Sequence, residues 1–269
     1  MGRKKIPISK ETLEALYYDQ ALSLREIGDL LGHDEGWVAR HMREHGLMPR
    51  RPWDHRRKYT IPPSVLDAWP SPELAYVVGL IASDGCLTSD NNQVRLTTTE
   101  VELAHIYLTC LGLKNVHLSE QKKIGFKDLL VVSLSDPAYR ALLEKLGLTS
   151  QKSLRLGPLV IPDEVFRDFL RGVIDGDGTI STPHHPGGKD DLTIRVTIYS
   201  GSHPFVTWLL QRITTLTGLV GYIYSSKRAY MLNFNGRYAL ALLDFIYYAE
   251  DLPCLSRKRA VWETYRHES

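Results

Sequence analysis

The chain has 269 residues, with 33 Lys and Arg against 31 Asp and Glu, 43% hydrophobic residues and three Cys. Its longest apolar run, Val77 to Ala82, falls far short of the roughly 20 residues that a membrane helix requires, and the N-terminus lacks the apolar core of a signal peptide. Cys86, Cys110 and Cys254 form no Cys-x-x-Cys pair, so neither a zinc ribbon nor a disulfide framework is expected, and the reading is an intracellular protein with reduced thiols. A formal charge of +2 hardly advertises a polyanionic partner.

Charge is unevenly placed along the chain. Residues 1–58 hold 12 Lys/Arg and 9 Asp/Glu, whereas the remainder holds 21 and 22. This front segment has a compact helical grammar. A helix capped by Ser9 carries Leu13, Leu16 and Tyr17. Ser23 followed by Glu26 makes a capping box, and Ile27, Leu30 and Leu31 form the apolar stripe of a short helix that stops at Gly32. A tight turn through His33 and Asp34 leads to a further helix with Val38 and Met42 inward and Glu35, Trp37, Arg40, His41 and Arg43 outward, ending near Gly46. Two short helices joined by a glycine turn describe a helix-turn-helix over residues 1–48. The string SLREIGDLLGHDEGWVARHMREHGL also resembles the helix-turn-helix of resolvases and small bacterial regulators. A plain packing hairpin is the competing reading. The arginines in and after the last helix, including Arg40, Arg43, Arg50 and Arg51, favour contact with DNA, as does His41, while Trp37 serves either contact or packing. Residues 49–70, basic and carrying Pro49, Pro52, Pro62, Pro63 and Pro70, read as a semi-extended linker.

The rest of the chain contains a repeat. LAYVVGLIASDG (74–85) aligns without a gap to RDFLRGVIDGDG (167–178) at a constant offset of 93 residues, pairing Tyr76 with Phe169, Gly79 with Gly172 and Asp84 with Asp177. Each copy reads as a helix of about a dozen residues ending at Asp-Gly. Strands follow over 93–98 and 192–199, then Ser/Thr-capped helices over 100–111 and 203–216. Hairpins over 116–134 and 221–234 come next, with a further helix after each. The expected architecture is α+β: a pseudo-twofold duplicated αββαββα body with two antiparallel β-sheets, first repeat 71–160 and second repeat 161–269, preceded by the small all-α domain. His184-His185 has no third ligand nearby and reads as a loop.

Small residues four apart, Gly79 with Ser83 and Gly172 with Gly176, let two helix backbones approach closely, so each copy is expected to pack on the other. That packing brings Asp84 and Asp177 together at the negative ends of two helix dipoles, which is unfavourable without a cation. One Asp-Gly alone is a helix stop. Two in an identical frame point to divalent cations, with oxygen ligands suited to Mg²⁺.

These segments look like the LAGLIDADG motifs of homing endonucleases, and the likeness extends over roughly residues 59–266. Two motifs in one chain resemble the monomeric form of that family, which cuts both strands of a long double-stranded DNA site from a saddle of two sheets and needs no protein partner. The resemblance implies that Asp84 and Asp177 bind the catalytic Mg²⁺, with Mn²⁺ or Ca²⁺ substituting for binding, helped by the carbonyls of Ser83 and Gly176. It implies that basic residues beyond each repeat, here Lys152 and Lys258, stabilise phosphate charge or position water. Thr97 and Ser200 would line the same pocket. The first motif departs from the pattern at Ala82, where Asp175 keeps the acid in the second, which makes the two half-sites unequal. Gln93, Arg95, Thr193 and Arg195 would face bases or phosphates in the major groove, and Lys122, Lys123, Lys127, Lys227 and Arg228 would track the backbone. The resemblance further implies short 3′ overhangs. Two other roles stay open: a catalytically silent DNA-binding regulator and an RNA-binding intron maturase.

Overall fold

The computed structural model describes residues 8–20, 22–48, 59–89, 93–114, 116, 118–121, 128–150, 156–183, 193–226 and 229–268, with residues 19, 119–121 and 268 described by their backbone alone. The chain divides into two compact units, Met1–Lys58 and Tyr59–Ser269.

In the first unit, helix α1 (Lys10–Glu14) starts at Ser9, whose hydroxyl accepts from the Thr12 N–H, and continues as a π-helical turn over Ala15–Asp19. Helix α2 (Leu24–Leu31) carries the capping box in full: Ser23 N–H donates to Glu26 Oε2 at 2.7 Å, and Glu26 N–H returns to Ser23 Oγ at 3.2 Å. It ends at Gly32, left-handed at φ 71°. Helix α3 (Glu35–Glu44) is capped by Asp34, which accepts from the Trp37 N–H at 2.8 Å. Leu13, Tyr17, Ile27, Val38 and Met42 meet in a core of their own. Two expectations are corrected. Leu30 is 63% exposed, because Ile27 and Gly28 fill the inward side of α2, while Trp37 is only 7% exposed. Trp37 lies between the rings of His33 and His41, at centroid distances of 3.8 and 4.0 Å, so it faces the helix turn and not solvent.

The second unit begins earlier than the linker reading placed it. Residues 49–58 of that segment lie outside the described residues. Residues 59–70 belong to the second unit, with helix α4 at Pro63–Asp67 and Ile61 buried. The reason is Asp136: its Oδ1 caps helix α7 (Pro137–Lys145) through Ala138 and Tyr139 N–H, while its Oδ2 takes the Ile61 N–H at 3.2 Å.

The repeat is realised twice. Helix α5 (Pro72–Ser83) leads to β1 (Gly85–Leu87), β2 (Val94–Thr98), α6 (Val101–Cys110), β3 (Ser119–Gln121), β4 (Leu129–Leu134) and α7. Helix α8 (Phe166–Asp177) leads to β5 (Gly178–Ser181), β6 (Arg195–Ser200), α9 (His203–Thr217), β7 (Tyr222–Ser225), β8 (Tyr230–Asn235) and α10 (Arg237–Ile246), and α11 (Ser256–Glu268) closes the chain. The two antiparallel sheets share one order, β1-β2-β4-β3 and β5-β6-β8-β7. One apolar core runs through both repeats, from Val94, Leu96 and Val132 to Val196, Ile198, Leu232 and Phe234. The Ser/Thr capping expected of α6 and α9 is displaced. Thr98 and Ser200, at the strand ends, accept from the N–H two residues on, and the positions directly before the helices make no side-chain cap.

Candidate active site

The two motif helices are the axis of the second unit, and their contact is reciprocal. A methyl group on Gly79 would lie 2.1 Å from the Phe169 carbonyl oxygen, and one on Gly172 would lie 2.1 Å from the Tyr76 carbonyl oxygen. Since Tyr76 and Phe169, like Gly79 and Gly172, are equivalent in the repeat, this contact defines a pseudo-dyad between α5 and α8. One turn further on, a methyl on Gly176 would lie 2.0 Å from Ser83 Oγ and 3.3 Å from Asp84 Oδ2. Asp84 of the first repeat therefore reaches the end of the second motif helix.

The glycine after each aspartate is explained by packing alone. A methyl on Gly85 would meet Ile81 Cα at 2.6 Å, and one on Gly178 would meet the Ile174 carbonyl oxygen at 2.5 Å, so the chain folds back onto its own helix only through glycine. Asp84 follows α5 as its C-terminal cap, its N–H donating to the Leu80 carbonyl at 2.9 Å and its own carbonyl accepting from Thr97 N–H at 3.4 Å. Asp177 ends α8, and both residues are half-buried.

Lys258 sits where the sequence did not place it. It is 4% exposed, and its Nζ donates to the carbonyl oxygens of Ile174 (2.6 Å), Asp175 (2.8 Å) and Gly178 (2.7 Å). All three ammonium protons are thus spent on the end of α8, where a cation also meets the negative end of the helix dipole. Burial pulls this ammonium down to about 8, with Asp175, Asp84 and Asp177 pulling the other way. Both motif aspartates therefore lie within electrostatic reach of one buried cation, and part of the compensation that their placement demands comes from the chain itself. Its neighbours tie the two repeats: Arg257 Nη2 meets Glu100 at 3.1 Å, and Ser256 N–H donates to Glu102 at 3.1 Å.

A polar strut crosses the pseudo-dyad on one diagonal only. Tyr76 OH donates to Asp175 Oδ2 at 2.8 Å, and the same oxygen takes the Leu255 N–H at 2.8 Å. Burial holds the Asp175 carboxyl above its usual range. The equivalent diagonal joins Phe169 and Ala82, both apolar. The signal was present in the repeat alignment as two substitutions, but only the fold shows that they face each other. Arg171 was missed outright. Fully buried on α8, it donates to Asp168 at 2.7 Å and to the carbonyls of Ile246 and Pro253 at 2.9 Å each.

On the sheets, Arg95 and Arg195 lie on the face away from the core, while Gln93 and Thr193 are half-buried at the strand entrances. Thr97 adjoins Asp84, whereas the Ser200 hydroxyl is used by the Ser202 N–H, so these two are not equivalent positions. In the first unit Arg40 and Arg43 are exposed on α3, and His41 is half-buried with Nδ1 3.1 Å from the Trp37 carbonyl. Lys152, Arg50, Arg51, Lys122, Lys123, Lys127, Lys227, Arg228 and the pair His184-His185 lie outside the described residues. Among the described residues no group of three or more His, Cys, Asp or Glu is gathered to hold a metal. No described helix is long and apolar enough to cross a membrane.

No family model matches the sequence, and no curated protein matches it. Solved structures do match. The homing endonuclease I-WcaI bound to its DNA recognition sequence aligns with TM-score 0.52 at 10% identity, over 81% of this chain and 95% of that one. Full-length DUF199/WhiA from Thermatoga maritima aligns with TM-score 0.50 at 12% identity, over 76% of this chain but only 64% of that protein. The second unit has the LAGLIDADG fold, as its two motifs led one to expect.

Proposed function

We propose that this chain, built on the LAGLIDADG fold, is a site-specific endonuclease that hydrolyses phosphodiester bonds on both strands of a long DNA duplex. The observation that carries this reading is the reciprocal packing of α5 on α8, which delivers one aspartate from each repeat to adjoining helix ends. Two centres related by a pseudo-dyad suit the two antiparallel strands of a duplex. I-WcaI, which shares the fold, is bound to its DNA recognition sequence.

The donors fit hard divalent cations. Asp84 and Asp177, with the carbonyls of Ser83 and Gly176, would hold Mg²⁺, which is commonly bound through one or two carboxylates with phosphate oxygens and water completing the shell. When bound, such ions neutralise phosphate charge and acidify water for attack on phosphorus with departure of the 3′ oxygen. The chain's own residues do the positioning. Lys258 pins the carbonyls around Asp177, and Gly176 leaves room for Ser83 and Asp84. Arg40, Arg43, Arg50 and Arg51 of the first unit and its linker would add phosphate contacts beyond the cleaved site.

A DNA-binding protein without cleavage is the second reading, favoured by the Lys258 protons all being spent on carbonyls. Selection from a random duplex library in Mg²⁺ decides. The nuclease reading expects one long sequence recovered with both strands cut, the second expects a sequence retained but uncut, and no enrichment would defeat both.

A further inference from the structure

The two repeats are unequal in one more respect, which the strand registers expose. In the first sheet Gly85 pairs with Leu96, and Arg95 faces Cys86, the first residue beyond the motif glycine. In the second sheet Gly178 pairs with Ile198, and Arg195 faces Ser181, the third residue beyond it. By register, then, Arg95 is equivalent to Thr197 and Arg195 to Gln93. Each sheet offers one arginine on its outward face, and the second stands two residues farther from the helix ends than the first. At about 3.3 Å of strand per residue, the difference is close to 7 Å.

Both side chains are held in the same way. Arg95 Nε donates to Ser133 Oγ at 3.3 Å, and Arg195 Nε donates to Asn235 Oδ1 at 2.7 Å. Ser133 and Asn235 are the direct cross-strand partners of the two arginines. Fixing Nε on a neighbour orients the guanidinium plane and leaves its two terminal nitrogens as a fork. Arg95 Nη2 approaches Gln93 Oε1 only at 3.5 Å, too long to occupy that fork firmly. An oriented fork of two donors matches the O6 and N7 acceptors of guanine in the major groove.

Resting on the proposed DNA reading, we infer that Arg95 and Arg195 each read a guanine, at unequal distances from the centre of the target. The guanine on the second-repeat side lies about two base pairs farther out, at about 3.4 Å per base pair. The target is therefore non-palindromic in a stated way: the row equivalent to Arg195 in the first sheet holds Gln93, and the row equivalent to Arg95 in the second holds Thr197, which is buried.

The test repeats the duplex selection with the full-length protein and with Arg95→Lys, Arg95→Ala, Arg195→Lys and Arg195→Ala, after circular dichroism confirms that each variant folds. The expected wild-type site has an inner guanine on one side and an outer guanine on the other. Each Arg95 variant relaxes only the inner position and each Arg195 variant only the outer one, by roughly ten- to a hundredfold in preference. The lysine variants do so while keeping the salt dependence of binding. If wild type selects a site but its guanines are absent or equidistant, or if the alanine variants weaken all sequences alike, the arginines hold phosphates and the inference is overturned while the nuclease reading stands. If wild type selects no duplex, both fall together.

Discussion

The ammonium of Lys258 shows how much of a site's electrostatics can be internal. It adds three donors at the end of α8, where the Ile174 carbonyl also accepts from Gly178 N–H, and it counters Asp175, Asp84 and Asp177. Lys258→Met should cost about 3 kcal/mol in urea unfolding, since it removes three buried charge-assisted hydrogen bonds and the cation that counters Asp175. An unchanged midpoint would show that water replaces the ammonium. Asp175 has the opposite sign. Burial holds its folded carboxyl above the unfolded value, so the unfolded chain releases that proton at lower pH, and the contribution of Asp175 to stability falls as pH rises from about 4 through the folded value. Asp175→Asn keeps an acceptor for Tyr76 OH and Leu255 N–H, and the decline in stability above about pH 4 should flatten. An identical slope would mean that Asp175 is not the titrating group. Asp84 and Asp177 were legible in the sequence because one frame recurs twice. The place of Lys258 was not, because the direction of a side chain on α11 depends on a contact across 80 residues of chain.

At the scale of elements, the glycines of α5 and α8 make a sharper distinction than their spacing alone. Gly172 faces a backbone carbonyl that cannot move aside, so Gly172→Ala should destabilise by about 3 kcal/mol. Gly79 faces the Phe169 carbonyl in the same way, so Gly79→Ala should cost a similar amount. Gly176 faces both Ser83 Oγ and Ser83 Cβ, the latter at 2.7 Å, so Gly176→Ala should also destabilise and should lower cleavage roughly tenfold by crowding Ser83 and Asp84. An unfolding midpoint unchanged by either Gly79→Ala or Gly172→Ala would contradict the reciprocal packing. Helix and strand order were readable within each repeat, because hydrophobic period switched from 3.6 to 2 after each Asp-Gly, whereas α4 in the stretch read as linker and α11 beyond the second repeat were not. What misled was local. Leu30 fitted an apolar stripe that Gly28 and Ile27 already filled, and Trp37, open in the sequence to either contact or packing, packs between two histidine rings. Caps moved too, since Thr98 and Ser200 act from the strand side of each turn.

For the whole molecule, the +2 charge is a sum over unlike parts: a basic front unit and linker against a second unit that carries the aspartates of the site. The boundary at residues 58 and 59 was misplaced in the sequence by a dozen residues, because Pro62, Pro63 and Pro70 read as linker while Asp136 binds Ile61 from far along the chain. Removing residues 1–58 should weaken duplex binding and reduce its salt slope by about 0.9 for each phosphate that the shortened chain leaves unneutralised, without ending cleavage. An unchanged slope would place the first unit outside the interface. The most direct test of the central claim is cleavage of the selected duplex in Mg²⁺ by the paired variant Asp84→Asn, Asp177→Asn. Binding retained within about tenfold with both strands left intact is the predicted result, and cutting of both strands at the wild-type rate would contradict it.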